Sequence, residues 1–411
     1  MVVGGGVIGA ACAYRLQEAG IPTTVLDEES EIPSASWGNA GHIATEQISP
    51  MASPDIIRTI PQRMFAAGGP LDFCWQDIAI WMPWAVRFLR ACTPTRHARG
   101  RSALTAMLEH ALPAWRRLAA ASGKPDLLME HGHFVLWETP SSAARGRAAW
   151  TRLDAARIGD IDRGQLAGLC DRLAIPIEDG VAFKGTGQVC DPALAMDAIK
   201  QAHRRAGGDW RRCTVNALVR RGDAAALVLD DGGRIGADLI VIAAGVGSRA
   251  LMAGIGVYAP VIAERGYHVE GAVADDWPAG LPPLVFEDRS LIATRFGSRL
   301  RVSSFVEFGR RDTPPDPRKW ARIEHHIRKI GLPIKKPFSR WMGARPTLPD
   351  YLPAIGIHPD MNNLLYAFGH QHLGLTLAAL TAEIVTDLAC RRAPAVDLTP
   401  FDVGRFAARS A

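Results

Sequence analysis

The chain has 411 residues, 48% hydrophobic and 22% charged, with a formal net charge of +5. That is enough for a buried core and two structural units, and too apolar for a disordered chain. The basic residues are mostly Arg and scattered, which argues against a nucleic-acid surface, and seven cysteines with no C-x-x-C pair argue against a disulfide framework and for a reducing compartment. No basic segment followed by an apolar run opens the chain, and no stretch reaches ~18 uninterrupted apolar residues. A soluble cytoplasmic protein is expected, with attachment to a membrane surface left open.

Residues 1–3 are apolar and lead into Gly4-Gly5-Gly6-Val7-Ile8-Gly9, a G-x-G-x-x-G run. Residues 10–19 suit a helix stopped by Gly20, and residues 23–26 suit a strand ending in Asp27-Glu28. Strand, turn, helix, strand and acid stand in the order of a dinucleotide-binding βαβ unit. Gly4 allows the tight turn, Gly6 admits a pyrophosphate against the backbone, and Gly9 lets helix and strand pack closely. The amides at Val7 and Ile8 open the helix and face the phosphates, where its dipole favours negative charge. Asp27, directly after the strand, suits the ribose hydroxyls better than Glu28. A chance glycine cluster is the bland alternative, and the agreement of all the parts outweighs it. The unit alone does not choose between NAD and FAD.

Residues 34–46 are small and polar, as in a loop where backbone meets a ligand. Residues 55–122 read as several helices. Trp75, Trp81, Trp84 and Phe88 are better taken as a buried helix face than as an interfacial membrane helix, since Pro83 interrupts them. Residues 128–137 read as one strand with His131 and His133 on a shared face; with no third ligand nearby in sequence, no metal site is expected. Asp191-Pro192 starts a helix ended by Gly207-Gly208. Residues 239–248 form a buried parallel strand whose Ala244-Gly245 turn faces the ligand crevice. Residues 258–308 alternate as antiparallel strands, and residues 317–331 form an amphipathic helix. The nucleotide domain is therefore discontinuous, with pieces at 1–48, 188–252 and 341–411. Residues 49–187 and 253–340 make the second domain.

In residues 341–356, Arg345 is followed by proline and turn residues. It is suited either to gripping a carboxylate with two parallel hydrogen bonds or to tying down its own loop. A strand over 364–368 ends at Gly369-His370-Gln371-His372-Leu373-Gly374, and a helix over 375–389 follows. Its first amides can face an anion. For His370 and His372, roles as metal ligands or as a general base rank below packing.

Five motifs together carry a resemblance: Gly4 to Gly9; Ser36-x-x-Asn39-Ala40-Gly41; Ala243-Ala244-Gly245-x-x-Ser248; Trp341-x-Gly343-x-Arg345-Pro346-x-x-Pro349-Asp350; and Gly369-His370-x-x-Leu373-Gly374. The chain resembles the D-amino-acid oxidase superfamily, most of all the bacterial D-amino-acid dehydrogenases, with glycine and sarcosine oxidases as cousins. The resemblance implies an α/β FAD-binding domain of glutathione-reductase type and an α+β substrate domain built on an antiparallel sheet. It implies that Arg345 binds the substrate carboxylate with Tyr267 near it, and His370 is carried as a third catalytic candidate. Ser36, Asn39, Ala40, Gly41 and His42 would run beside the flavin. Gly369, His372, Leu373, Gly374, Leu375 and Thr376 would surround its reducible end. No cysteine follows the Arg345-Pro346 step, so the FAD is expected to be non-covalent, and His42 does not match the histidine that carries covalent flavin in dimethylglycine dehydrogenases. Residues 38–44 and 369–376 resemble a branch associated with D-hydroxyproline breakdown. The partners implied are a small amino acid or cyclic imino acid, a membrane quinone as electron acceptor, and the inner face of the cell membrane as a peripheral contact. A glycine- or sarcosine-type oxidase and a non-catalytic flavin-binding protein are the rival readings.

Overall fold

The structure, a computed structural model, describes residues 1–28, 34–154, 157–274 and 277–407. Two large sheets organise it. The first runs Asp209–Arg212, Thr24–Asp27, Val2–Val3, Ile240–Ile242, Leu364–Phe368 and Ala354–Ile357. All neighbours are parallel except the last pair. The central strands are apolar on both faces because both are covered: Val7–Glu18 and Gly374–Ala389 pack together on one side, and the strands Val215–Arg221 and Ala224–Leu229 with the short helix Ser248–Ala253 pack on the other. A three-stranded meander, Val215–Arg221, Ala224–Leu229 and Arg234–Gly236, lies between the edge strand and Ile240–Ile242 in the chain. The glycine turns after Val3 and after Ile242 sit at carboxyl ends of adjacent parallel strands, where an open α/β sheet binds its ligand.

The second sheet carries the substrate side. In spatial order it runs Ile334–Thr347, Ile262–Val273, Arg299–Gly309, Leu291–Phe296, Leu284–Phe286, His133–Trp137, Asp179–Phe183 and Ile158–Asp160. It is antiparallel apart from the pairing of Leu284–Phe286 with His133–Trp137 and an added strand, Leu71–Phe73, beside Arg299–Gly309. Helix Pro317–Ile330 covers one face, with Ile323, Ile327 and Ile330 buried at helical spacing.

The architecture is thus a Rossmann-like FAD domain plus a sheet-based substrate domain, but three boundaries differ from the sequence reading. The break at 341 falls inside Ile334–Thr347, a single 14-residue strand of the second sheet. Helix Pro94–Ala121, assigned to the substrate side, buries Leu104, Met107, Leu108, Ala111 and Leu118 in the nucleotide-domain core. Its Trp115 Nε1 donates to the Leu375 carbonyl at 2.9 Å. Residues 128–137 are not one strand. Gly132, at φ +75°, breaks them into Leu128–Met129 and His133–Trp137, which enter different sheets, and His131 lies off both.

Among the described residues, one helical stretch, Gln371–Ala389, is long and apolar enough by composition to cross a membrane, and 67% of its most apolar window is buried inside the protein.

Candidate flavin and substrate site

A cavity of about 1320 Å³ runs from the glycine turn at Gly4 to the second sheet. Small-ligand pockets span roughly 300–1,000 Å³, so this one has room for a dinucleotide and a substrate together.

At its nucleotide end the backbone is shaped for close approach. Gly4 sits at φ +102°, and a Cβ there would lie 2.5 Å from the Ala243 carbonyl oxygen. A Cβ on Gly9 would fall on the Gly4 carbonyl, so helix and strand pack as closely as the motif requires. Helix Val7–Glu18 has no cap from its own N-cap residue, Gly6; Ser36 Oγ accepts from Val7 N at 3.0 Å instead. Asp27 accepts from Gly5 N and therefore lies over the turn, whereas Glu28 is paired with Arg311. Both acids border the cavity.

The loop at residues 37–41 is clamped to the second sheet. Asn39 Oδ1 accepts from Gly41 N at 2.8 Å, Arg301 donates to the carbonyls of Asn39 and Trp37, and His268 Nδ1 meets the Gly38 carbonyl at 3.0 Å. Burial holds His268 neutral, its pKa lowered to about 3. Trp341 stacks on His268 with centroids 4.9 Å apart, and a Cβ on either Gly38 or Gly343 would strike its ring. At the far side, helix Gly374–Ala389 starts without a side-chain cap, and Gly374 and Leu375 line the cavity. The positive end of that helix therefore points toward the cavity wall, where it favours a negative ligand. Thr376 Oγ1 accepts from Ala44 N at 2.9 Å, tying that helix start to the loop. Gly9, Gly41, Gly369, Leu373 and Thr376 do not line the cavity and instead shape its walls, while the other expected cofactor residues border it.

Arg345 ends the long strand rather than standing in a proline loop. Its Nη1 donates to Glu264 Oε1 at 2.9 Å and to the Phe305 carbonyl at 3.3 Å. Among the described residues these are its protein acceptors, which leaves Nε and Nη2 for a ligand. Glu264 is 1% exposed, and its other oxygen accepts from Thr347 Oγ1 and Tyr351 Oη at 3.0 Å each. A buried carboxylate so held fixes the guanidinium. Around this corner Phe305, Tyr351 and Gln371 all take positive φ (70°, 58° and 46°), and Gln371 Nε2 donates to the Tyr351 carbonyl at 2.8 Å. Strained backbone of this kind gathers where geometry must be held. His372 lines the cavity beside Tyr351, and burial lowers its pKa to about 4.

Two expected catalytic residues, Tyr267 and His370, border the cavity but have their polar atoms engaged within the protein. Tyr267 is 1% exposed, and its hydroxyl donates to Glu307 Oε2 at 2.6 Å while accepting from Arg265 Nη2 at 2.9 Å and Asp316 N at 3.2 Å. A hydroxyl has one proton and two lone pairs, and all are used. Strand alternation is the cause: Glu264 pairs with Arg345 on the cavity face, whereas Tyr267 packs against Trp320 of the covering helix. His370 bonds Thr381 Oγ1 through Nε2 at 3.1 Å, is 2% exposed, and is held neutral by burial, with its pKa near 3. It packs the start of the final helix and borders the cavity with its polar edge turned to Thr381.

Glu264, Tyr351 and Gln371 were missed in sequence, as was the grouping of His42 with Glu46 and His133 on the cavity wall. Only strand register and chain crossings bring these residues together, and a linear reading carries no signal for either.

A sequence model of the family described as FAD dependent oxidoreductase matches residues 1–388. The chain is 28% identical to a D-amino-acid oxidase of Bradyrhizobium diazoefficiens, over 98% of both proteins. It is 27% identical to a D-amino acid dehydrogenase of Paramagnetospirillum magneticum, over 99% of this chain and 98% of the relative. Among solved structures it superposes on a Chelativorans iminodiacetate oxidase with a TM-score of 0.74 at 18% identity, covering 98% of each chain. For a glycine oxidase of Geobacillus kaustophilus the TM-score is 0.73 at 22% identity, covering 99% of this chain and 98% of the other. The glycine cradle, the acid at the end of the second strand and the uncapped helix fit the cofactor that this family name carries. The chain belongs to the FAD-dependent oxidoreductase family of the D-amino-acid oxidases, and its cofactor is FAD.

Proposed function

We propose that this enzyme oxidises the carbon–nitrogen bond of a small D-amino acid or cyclic imino acid, with D-proline and D-hydroxyproline as the favoured class. The observation that carries the reading is a guanidinium on the cavity wall, anchored through one nitrogen by Glu264 and open at the other two. Such a fork matches a carboxylate. The names of the relatives, D-amino-acid oxidase and D-amino acid dehydrogenase, point the same way.

Arg345 takes the substrate carboxylate and thereby fixes the Cα–H bond. The bound flavin supplies the hydride acceptor at N5. The amine reacts in its neutral form, so the protein needs no strong base. Positioning supplies most of the effect, and the first amides of helix Gly374–Ala389 offset negative charge at the reducible end. The organic product is an imine, which hydrolyses to a keto acid or stays cyclic when the substrate is proline-like.

Arg345→Ala tests the reading. KM for a carboxylate substrate should rise about 100-fold, the loss of two charge-assisted bonds, while FAD stays bound. An unchanged KM removes Arg345 from the role. We further propose a membrane quinone as electron acceptor, met by a cytoplasmic enzyme resting on the inner membrane face. Helix Ile78–Ala91 supports this, since it presents Ile78, Met82, Val86 and Leu89 to solvent next to Trp75, which is 65% exposed. An oxygen-using oxidase is the second reading, favoured by the relative of that name. Peroxide release during turnover separates the two.

A further inference from the structure

We propose that His42, Glu46 and His133 form a binding site for a divalent transition-metal ion of the zinc class in the wall of the cavity. His42 lies on strand His42–Ile43, Glu46 follows that strand, and His133 opens strand His133–Trp137. Glu46 Oε1 stands 3.1 Å from His42 Nε2 and 3.9 Å from His133 Nε2. The two imidazoles meet edge to face with centroids 4.5 Å apart. One ligand atom from each residue lies within 4.8 Å of the others. Zinc bonds of 2.0–2.2 Å in tetrahedral geometry place ligand atoms about 3.4 Å apart, so the cluster closes on an ion by side-chain adjustment.

The polar bookkeeping is incomplete without a cation. Glu46 is 3% exposed and His133 is 2% exposed. Glu46 Oε2 and His42 Nδ1 are buried with no hydrogen-bond partner. The remaining polar neighbour of Glu46 is Gln47 Nε2, 3.3 Å from Oε1, and among the described residues no Arg or Lys pairs with it. A carboxylate buried beside two imidazoles without a matching charge is costly. Two imidazoles and one carboxylate are also the donor set of open zinc sites, which keep a fourth position for water or ligand. Here that position would face the cavity, which all three residues line. The supporting shell is present for one ligand: His133 Nδ1 meets the fully buried Thr186 Oγ1 at 3.0 Å, which holds the ring with Nε2 toward Glu46. The other cluster of three acids, Asp72, Glu307 and Asp316, is already met by three cations, Lys319 Nζ at 2.7–3.2 Å from all three, Arg265 beside Glu307 and Arg318 beside Asp316, and needs no ion. The inference does not depend on the identity of the substrate.

The test uses the FAD-loaded enzyme, treated with a chelator, dialysed, and titrated with Zn²⁺ by calorimetry and with Co²⁺ by absorbance. The proposal predicts one equivalent of Zn²⁺ per chain, a higher melting temperature with metal bound, and Co²⁺ ligand-field bands of a low-coordinate nitrogen–oxygen site. Glu46→Gln and His133→Gln should each weaken binding by more than about 100-fold, since even an outer-shell partner is worth 10–100-fold. Flavin absorbance should be retained in both, and His110→Gln, on an exposed helix face, should bind as the parent does. No saturable uptake by the parent enzyme overturns the proposal and leaves a shared proton between His42 and Glu46 as the explanation. So does uptake undiminished in both variants. If neither variant folds, the cobalt bands of the parent decide alone, and their absence overturns it.

Discussion

Gly266 has no side chain because Arg345 fills the space where one would go: a Cβ there would fall on Arg345 Nη2. Gly266→Ala therefore pushes the guanidinium off its line with Glu264. KM for the carboxylate substrate should rise at least tenfold, a displacement costing about 1.4 kcal/mol, with FAD still bound. KM equal to the parent's would show that the guanidinium does not need that position. Tyr267, the next residue, borders the cavity but turns its ring toward Trp320 and its hydroxyl toward Glu307. Tyr267→Phe should lower stability by about 1–3 kcal/mol, because Glu307 and Arg265 lose a buried partner, and leave KM unchanged. A raised KM at unchanged melting temperature would return the phenol to the substrate. The two neighbours show what a sequence can convey about a site. Motif spacing finds Arg345, but the face on which Tyr267 lies is set by register with Met342, which lies 75 positions further along the chain.

Elements were legible where they are local. The first strand, glycine turn, helix and second strand occupy residues 2–27 in the order that the spacing requires. Helix 317–331 was foreseen because its apolar positions repeat at helical spacing, and Pro317–Ile330 is the result. Helix Pro94–Ala121 was legible as a helix, but its stripe does not say which core it joins. The last helix is tied to the loop at Ala44 through Thr376 and holds the buried ring of His370, which precedes it, through Thr381. Thr376→Val removes the acceptor for Ala44 N and should cost about 1–3 kcal/mol, read as a lower melting temperature with a shifted flavin band. His370 and His268 add a pH dependence. Their folded pKa values, near 3, lie below the unfolded value of about 6.5. Between those limits the unfolded chain binds protons that the folded chain does not, so stability falls as pH drops below about 6.5. Each ring contributes a slope of about 1.4 kcal/mol per pH unit. His370→Asn should flatten the slope of stability against pH by that amount, and an unaltered slope would mean that the ring titrates normally in the fold.

Across the whole molecule, the cavity lies between the carboxyl edge of one sheet and a face of the other. Its nucleotide half centres on the glycine turn and the acid of residues 4–27, which stand close in sequence, with the Ala243–Gly245 turn beside them. Its substrate half is assembled from Glu264, Phe305, Arg345 and Tyr351, on crossings that only the fold defines. The outer surface was half readable. Trp81 and Trp84 are buried, as the pattern suggested, but Trp75, expected on the same face, precedes the helix and is 65% exposed, and the opposite face of the helix exposes Ile78, Met82, Val86 and Leu89. If that stripe rests on lipid, the FAD-loaded enzyme should float with anionic vesicles, and Met82→Ser with Val86→Ser should abolish flotation at unchanged turnover of a soluble dye acceptor. Flotation unaffected by the pair would remove this helix from the contact. The central claim, a flavin reduced by an amino acid gripped at Arg345, is tested most directly by anaerobic titration of the yellow enzyme with D-proline, D-hydroxyproline, other D-amino acids and glycine. The account predicts that the flavin band bleaches with at least one of them in the parent enzyme, and only at far higher concentration in Arg345→Ala. A band that none of these compounds bleaches, or that bleaches identically in both proteins, would contradict it.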